Sequence, residues 1–405
     1  MAEELGFVII NQYTLAKSRT GGVISRLLSR GTYDLVAARM FTPSEKLVEE
    51  YSKILEEDIK PETEEVVRLL IKYVKDNYAL NRVTGEEGRV MVLLFKGENV
   101  IQKLRYEIVG SITHESIAGE TIRDTYGDYI VDYNGKVTYF EPAVIVLPGS
   151  KGAERTLKLW AKYSDEDGGL LDDVVRYKGE VQPEITLVMI KPDNFSGPSA
   201  RAGYIVDMLS RSGLYIIAAQ VFSMSIAQAQ EFYGPVKEVF VNKLKGLFVK
   251  SADESISSQF GFEIPAEIKN DFYEKLNILN AEHEFNKIIK FMTGMDPESV
   301  TDPEDRKTPG KEMCLALVYQ GVEAVSKIRG ILGTTDPDKA EHGTIRREFG
   351  TNIMVNTAHA SDSQYNALRE IKIIKIEENK FKDIIEEFYN KKKSKPKSKA
   401  TVKGE

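Results

Sequence analysis

One of this chain's four histidines lies in a stretch whose residue types suit phosphoryl transfer. In NTAHASDS (356–363), His359 follows a short apolar run and precedes a helix-like one. Ser361 and Gln364 form a Ser-x-x-Gln capping pattern, which predicts a helix N-terminus just after the histidine. The free N–H groups and dipole at such an end favour an anion nearby. Glu370, on the same predicted helix, is the carboxylate that could hold one ring nitrogen and leave the other free to attack. Phosphoryl transfer also needs cations and donors around the moving group. The same half of the chain offers Lys191 at a strand end, Arg329 on a helix, Thr335 in the next loop and Arg346 in GTIRREFG. Each of these also has an ordinary reading, as a strand-end charge, a helix-face charge or a loop salt bridge. No GxxxxGK[ST] and no GxGxxG is present, so the common nucleotide loops are absent.

The elements that must position these residues occur twice. GGVISRLLSRGTYDLVAARMF (21–41) aligns without gaps to AGYIVDMLSRSGLYIIAAQVF (202–222). KLRYEIVGS (103–111) matches KIRGILGT (327–334) with one extra residue, and ETIRDTYGDY (120–129) matches GTIRREFGTN (343–352). The matches keep their order, as a tandem duplication requires. Each copy predicts strand, helix, strand, then helix, strand, helix and a last strand; in the second copy that last strand is NIMVNTA (352–358). The fold class is therefore α+β: two ferredoxin-like (βαββαβ) domains with antiparallel sheets and helical insertions. The expected domains are 1–172 and 184–380, joined by a linker at 173–183. Insertions are expected at 243–284 and 295–311, and a basic, disordered tail at 390–405.

The blocks TLVMIKPD (186–193), LGTTDP (332–337), HGTIRREFG (342–350) and NTAHASDS resemble, in that order, the nucleoside diphosphate kinases. IIKFMTG (288–294), followed later by MCLALVYQG, is similar to the family segment that leads into its third strand. The resemblance covers most of 184–372. It implies that His359 carries a phosphohistidine in a ping-pong cycle, taking the γ-phosphoryl group of a nucleoside triphosphate and passing it to a nucleoside diphosphate. Glu370 would orient the ring, while Lys191, Arg329, Thr335 and Arg346 would contact phosphates. Tyr233, in EFYGPVK, matches a tyrosine near the phosphohistidine, and Asn356 matches the ribose-binding asparagine. Phe285 is the remaining member of a phenylalanine pair that stacks on the base. Mg2+ would be held mainly by the nucleotide phosphates, without a metal site on the protein.

Ala360 stands where the family has glycine. With the insertions and the lost phenylalanine, it favours an alternative: a catalytically weak or inactive nucleotide-binding regulatory module. The first copy matches Asn11 to Lys191, Pro148 to His359 and the neighbourhood of Leu159 to Glu370, but keeps Tyr51, Arg105 and Arg123. It is expected to be a degenerate copy without phosphohistidine chemistry, pairing with the second as an intramolecular pseudo-dimer. Such a chain could form a further homo-oligomer.

Composition bounds the rest. The 405 residues are 42% hydrophobic and 29% charged with a formal net charge of −7, a globular balance that does not favour a general nucleic-acid binder. The single cysteine, Cys314, excludes an internal disulfide and fits a reducing compartment. The acidic opening MAEELGFVII is unlike a signal peptide, and no run approaches ~20 apolar residues, so the expectation is a cytoplasmic protein off the membrane. His283, in EHE, reads as a solvated helical side chain rather than a metal ligand.

Overall fold

Two antiparallel four-stranded sheets organise the chain, and the same strand order recurs in both. The computed structural model describes residues 3–57, 64–80, 87–112 and 119–394, apart from 148, 172, 178, 238–257 and 260–263. Pro148, residues 243–257 and 260–263 of the expected 243–284 insertion, and residues 395–405 thus lie outside the described residues. In the first half, β1 (Glu3–Ile10), β2 (Asp34–Phe41) and β3 (Val90–Glu98) precede a hairpin of β4 (Asp128–Val131) and β5 (Val137–Glu141), then β6 (Val144–Val146). In the second, β7 (Glu184–Ile190), β8 (Tyr215–Phe222), β9 (Cys314–Gly321) and β10 (Ala358–Ala360) follow. The sheets run β2-β3-β1-β6 and β10-β7-β9-β8. Taken as first to fourth strand of each half, both read 2-3-1-4 from one edge or the other, the expected ferredoxin-like arrangement. All eight residues of β9 are buried, so this inner strand reads as a continuous apolar run rather than an alternating one.

Local details repeat as well. The Asn11 N–H donates to Ala143 O (3.2 Å) and the Lys191 N–H to Thr357 O (2.9 Å). Ala143 and Thr357 both sit at positive φ, 58° and 76°. In each case the next residue's N–H closes a three-residue turn, Val144 to Pro142 O (2.6 Å) and Ala358 to Asn356 O (2.8 Å). These are γ-turns, a strained conformation for any residue with a side chain. The extra residue of KLRYEIVGS is taken up by a π-helical turn, Lys103–Val109, where the second half has the α-helix Ala324–Leu332.

This shared frame corrects one expectation. Counting from the γ-turn, Ile145 pairs with Ile9 as His359 pairs with Met189. The first-half residue at His359's place is Ile145, not Pro148. Sequence matching counted along a loop of different length, whereas the sheet counts from the turn.

Two further expectations change. Of the run 352–358, only Ala358 enters a strand. The Asn352 carboxamide accepts from the N–H groups of Met354 (3.0 Å) and Val355 (2.8 Å), which folds the segment into a turn. At the C-terminal end, the helix Lys380–Ser394 extends into the expected tail through residues 390–394. Its apolar face is buried at Phe381, Ile385 and Tyr389, and Phe381 meets Phe41 edge-on at 5.6 Å. Burial of that stripe holds the helix where its basic composition alone predicted disorder.

Contacts divide the chain into two compact units. The first comprises 1–221, 315–368 and 375–405, and holds both sheets except for the end residues Phe222 and Cys314. Within it the helices Thr20–Arg30 and Arg201–Leu209 cross through glycines. A Cβ on Gly21 would lie 2.3 Å from Asp207 N and 2.5 Å from Gly203 O. Trp160 is fully buried among Phe7, Phe41, Tyr51 and Tyr78.

The second unit comprises 222–314 and 369–374. A helix over 226–237 opens on Ser225, whose hydroxyl accepts from the Gln228 N–H while the Gln228 side chain accepts from the Ser225 N–H. Ser225 and Gln228 thus form a full capping box. The 28-residue helix Ala266–Thr293 starts just after Pro265. The stretch 295–311 is turns and one 3-10 segment, Asp305–Lys307. His283 is exposed, as expected of a solvated side chain.

Candidate active site

His359 is the middle residue of β10, half-buried between the buried Ala358 and Ala360. Strand alternation puts its side chain on the face opposite to theirs. Its position is set by the γ-turn just before it and by the loops that tie down that turn.

Lys191 follows the last residue of β7 and is 7% exposed. Its ammonium donates to Asn356 Oδ1 (2.7 Å) and Met354 O (3.3 Å). The Asn356 amide in turn donates to Thr335 O (3.1 Å) and Ile353 O (2.8 Å). The chain Lys191–Asn356–Thr335 therefore joins three separate segments. Arg346 adds a fourth: its two terminal nitrogens donate to Gly333 O (3.0 Å) and Ala358 O (3.1 Å), the second carbonyl directly preceding His359.

Arg329 is exposed on its helix, and its charge reaches Asp362, three residues after His359. The Asp362 carboxyl is held below the usual aspartate value, first by the Asn366 amide (2.6 Å), then, against its partial burial, by the Ser363 hydroxyl and by Arg329. The helix that bears Arg329, Ala324–Leu332, packs against β10.

The helix after the histidine, Gln364–Ile373, is capped by Ser363 rather than Ser361. The Ser363 hydroxyl accepts from the Asn366 N–H (3.2 Å) and its carbonyl from Ala367 (2.9 Å). Ser361 is wholly buried, and its own N–H continues the sheet to Leu187 O (3.1 Å). Backbone pairing with β7 continues past the histidine to Ser361, so the cap moves two residues on, to Ser363.

Tyr233, Phe285 and Glu370 belong to the second unit. Glu370 is 4% exposed, with Arg369 alongside (3.8 Å). The Arg369 guanidinium donates to Glu231 O and Phe232 O, tying this helix segment to the 226–237 helix. Tyr233 stacks edge-on with Phe232 at 5.0 Å. Phe285 is 4% exposed, with the Lys237 ammonium 5.5 Å from its ring centre, so it offers little open face for a base to stack on.

Three residues that sequence reasoning passed over also shape the site. Asn194 is 2% exposed and donates to Lys191 O (3.0 Å) and Thr357 O (2.9 Å). Thr357 is the strained centre of the γ-turn. Asp193 has a carboxyl pushed up by burial, against the pull of Lys191 and Arg201. The one sequence signal for the first was its place just after KPD; the backbone strain at Thr357 left no signal. Among the described residues no group of three His, Cys, Asp or Glu side chains is placed to hold a metal ion, and no helix is long and apolar enough to cross a membrane.

The family profile described as nucleoside diphosphate kinase matches residues 261–381. A nucleoside diphosphate kinase of Clostridium perfringens is 36% identical over 108 residues, 26% of this chain and 64% of that protein. The chain thus spans less than two thirds of that relative. A nucleoside diphosphate kinase of Bdellovibrio bacteriovorus is 30% identical over 188 residues, 46% of this chain and 89% of that protein. Among solved structures, an NDP kinase from Pyrobaculum aerophilum aligns at 24% identity with a TM-score of 0.33, over 47% of this chain and 95% of that one.

Proposed function

Because the chain belongs to the nucleoside diphosphate kinase family, we propose that it moves the γ-phosphoryl group of a nucleoside triphosphate to a nucleoside diphosphate through His359. The observation that carries this reading is the convergence of Lys191, Asn356, Thr335 and Arg346 on the turn that leads into the histidine.

A ring nitrogen of His359 attacks the γ-phosphorus, and the bond to the β–γ bridging oxygen breaks. The nucleoside diphosphate leaves with that electron pair, and the phosphoryl group stays on nitrogen. A terminal phosphate oxygen of a second diphosphate then attacks the phosphohistidine and restores the imidazole. Lys191, Arg329 and Arg346 supply positive charge for the phosphate oxygens, where it lowers the barrier most. The Asn356 side chain holds the Lys191 ammonium and spends both amide hydrogens on Thr335 O and Ile353 O, so a ribose hydroxyl would have to donate to its oxygen. Glu370 is assigned to ring orientation and Tyr233 to the phosphohistidine neighbourhood. Mg2+ would be held mainly by the phosphate oxygens, which it prefers, and would offset their charge.

The first half reads as a degenerate copy that supports the second. Ile145 has no nucleophile, and Asn11, at the place of Lys191, is absorbed in a buried network. Tyr78 donates to Asn11 Oδ1 (2.7 Å), and Tyr73 donates to both Glu141 oxygens (2.9 and 2.7 Å). The glycine-mediated helix crossing supports an intramolecular pseudo-dimer. The lone cysteine, Cys314, is buried, which agrees with a reducing, cytoplasmic setting.

A second reading, a nucleotide-binding module without turnover, draws on the burial of Phe285. Incubation with γ-labelled ATP and Mg2+ separates the two. The enzyme takes one acid-labile phosphate per chain, on His359, and gives it up to any nucleoside diphosphate. Bound nucleotide with no labelled histidine overturns the enzyme and leaves the module.

A further inference from the structure

We propose that Asn194 is a positioning residue for phosphoryl transfer, acting as a clamp that holds the strained γ-turn from which His359 projects; the proposal rests on the reading of His359 as phosphate carrier. Thr357 is β-branched and sits at φ 76°. A side chain in that region is strained, so it persists only where the surroundings hold it. The holding is concentrated on one atom, Thr357 O. It accepts from the Lys191 N–H (2.9 Å) and from the Asn194 amide (2.9 Å), which also donates to Lys191 O (3.0 Å). Both amide hydrogens are thus spent on carbonyls, which fixes which end of the carboxamide faces the turn. The clamp spans the two segments that matter most: the one bearing Lys191 and the one bearing Asn356 and His359.

The first half solves the same problem with a different side chain. Its γ-turn centres on Ala143, and the hydroxyl of the fully buried Thr14 donates to Ala143 O (2.8 Å). In each half, then, one buried side-chain donor joins a backbone N–H on this carbonyl, and in the first half the Ala143 N–H is held as well, by Glu141 Oε1 (3.0 Å). If the turn relaxes, Ala358 and His359 shift along the strand direction and Lys191 loses its backbone reference. An error of ~1 Å at a reacting atom costs on the order of 100-fold in rate.

The test replaces Asn194 by two residues of nearly equal shape, Asn194→Thr and Asn194→Val. The threonine keeps a donor, as Thr14 does, and the valine has none. The readout is the rate of His359 labelling in a single turnover at saturating ATP, with the thermal midpoint recorded alongside. The expected result is a loss of about tenfold or more for valine, a rate within about threefold of wild type for threonine, and similar midpoints for both. A valine variant at the wild-type rate overturns the proposal, and so does a threonine variant as slow as valine. Where the branched residues do not fold, Asn194→Ser and Asn194→Ala form a second pair with the same contrast. If the wild-type protein takes up no phosphate, the proposed function has failed rather than the clamp. The His359 imidazole NMR signals then decide: valine should displace them and threonine should not, and unmoved signals in the valine variant overturn the clamp.

Discussion

The Lys191 ammonium and the Asn356 carboxamide are hydrogen-bonded at 2.7 Å, and both side chains are buried. A buried cation and its acceptor depend on each other, because removing either deprives the other of its shortest hydrogen bond away from water. Lys191→Met should therefore lower the denaturation midpoint, and so should Asn356→Ala. The double variant should cost less than the two singles together, with a coupling of about 1–3 kcal/mol. Additive losses in a double-mutant cycle would show that the pair is adjacent but not coupled.

Arg123 and Arg346 make matching pairs of bonds in the two halves. Arg123 donates to Gly110 O (2.7 Å) and Val144 O (3.2 Å), as Arg346 does to Gly333 O and Ala358 O. Both brace the strand after the γ-turn, yet only one of those strands bears a histidine. Arg346→Met should slow His359 labelling by on the order of 100-fold. Arg123→Met should lower the thermal midpoint while labelling stays within about twofold of wild type. Equal slowing by both substitutions would contradict a passive first half.

The crossing at Gly21 and Gly203 leaves no room for a methyl group. A Cβ on Gly203 would lie 2.2 Å from Ser25 N, so the obstacle is backbone that cannot rotate away. Gly21→Ala and Gly203→Ala should each force the helices apart and cost about 1–3 kcal/mol, read as a lower melting temperature. Gly330, also in a helix and with nothing within 4 Å of its Cβ position, supplies a control for the steric part of the effect.

Glu141 supplies a pH dependence. Burial pushes its carboxyl above the usual 4.5, against the hydrogen bonds from Tyr73, Ala143 and Asn11. The folded protein then holds this proton to higher pH than the unfolded chain does. Its contribution to stability is full below pH 4.5 and is lost as pH rises through the folded value. Glu141→Gln should remove that loss. The variant should melt above wild type near neutral pH, and the gap should close below pH 4.5. A gap independent of pH would mean that Glu141 titrates alike in both states.

Much of this was legible in the residues. The inner strands are long apolar runs, and the two halves share enough pattern to reveal the repeat before any sheet is drawn. Lys191 at a strand end and Arg346 in its short helix were visible because motif and spacing mark them. The cap at Ser225 was visible too, since a capping box is local chemistry. The shift of the other cap from Ser361 to Ser363 was not. It depends on how far β10 continues beside β7, which is a matter of pairing between segments about 170 residues apart.

The sequence by itself determined the order of strands and helices along the chain and the repeat, because periodicity and residue type mark these directly, while the histidine and its charged company stood out through the resemblance of their motifs to a known family. Tertiary structure decided what those residues touch. It gave the place equivalent to His359 in the first half to Ile145 rather than Pro148, drew residues 390–394 into a helix, and buried Phe285. It also set Thr357 in a strained turn and gave Asn194 the carbonyl it holds. Strain of that kind has no residue signature, since a threonine at positive φ is stable only through donors brought to it by another part of the chain.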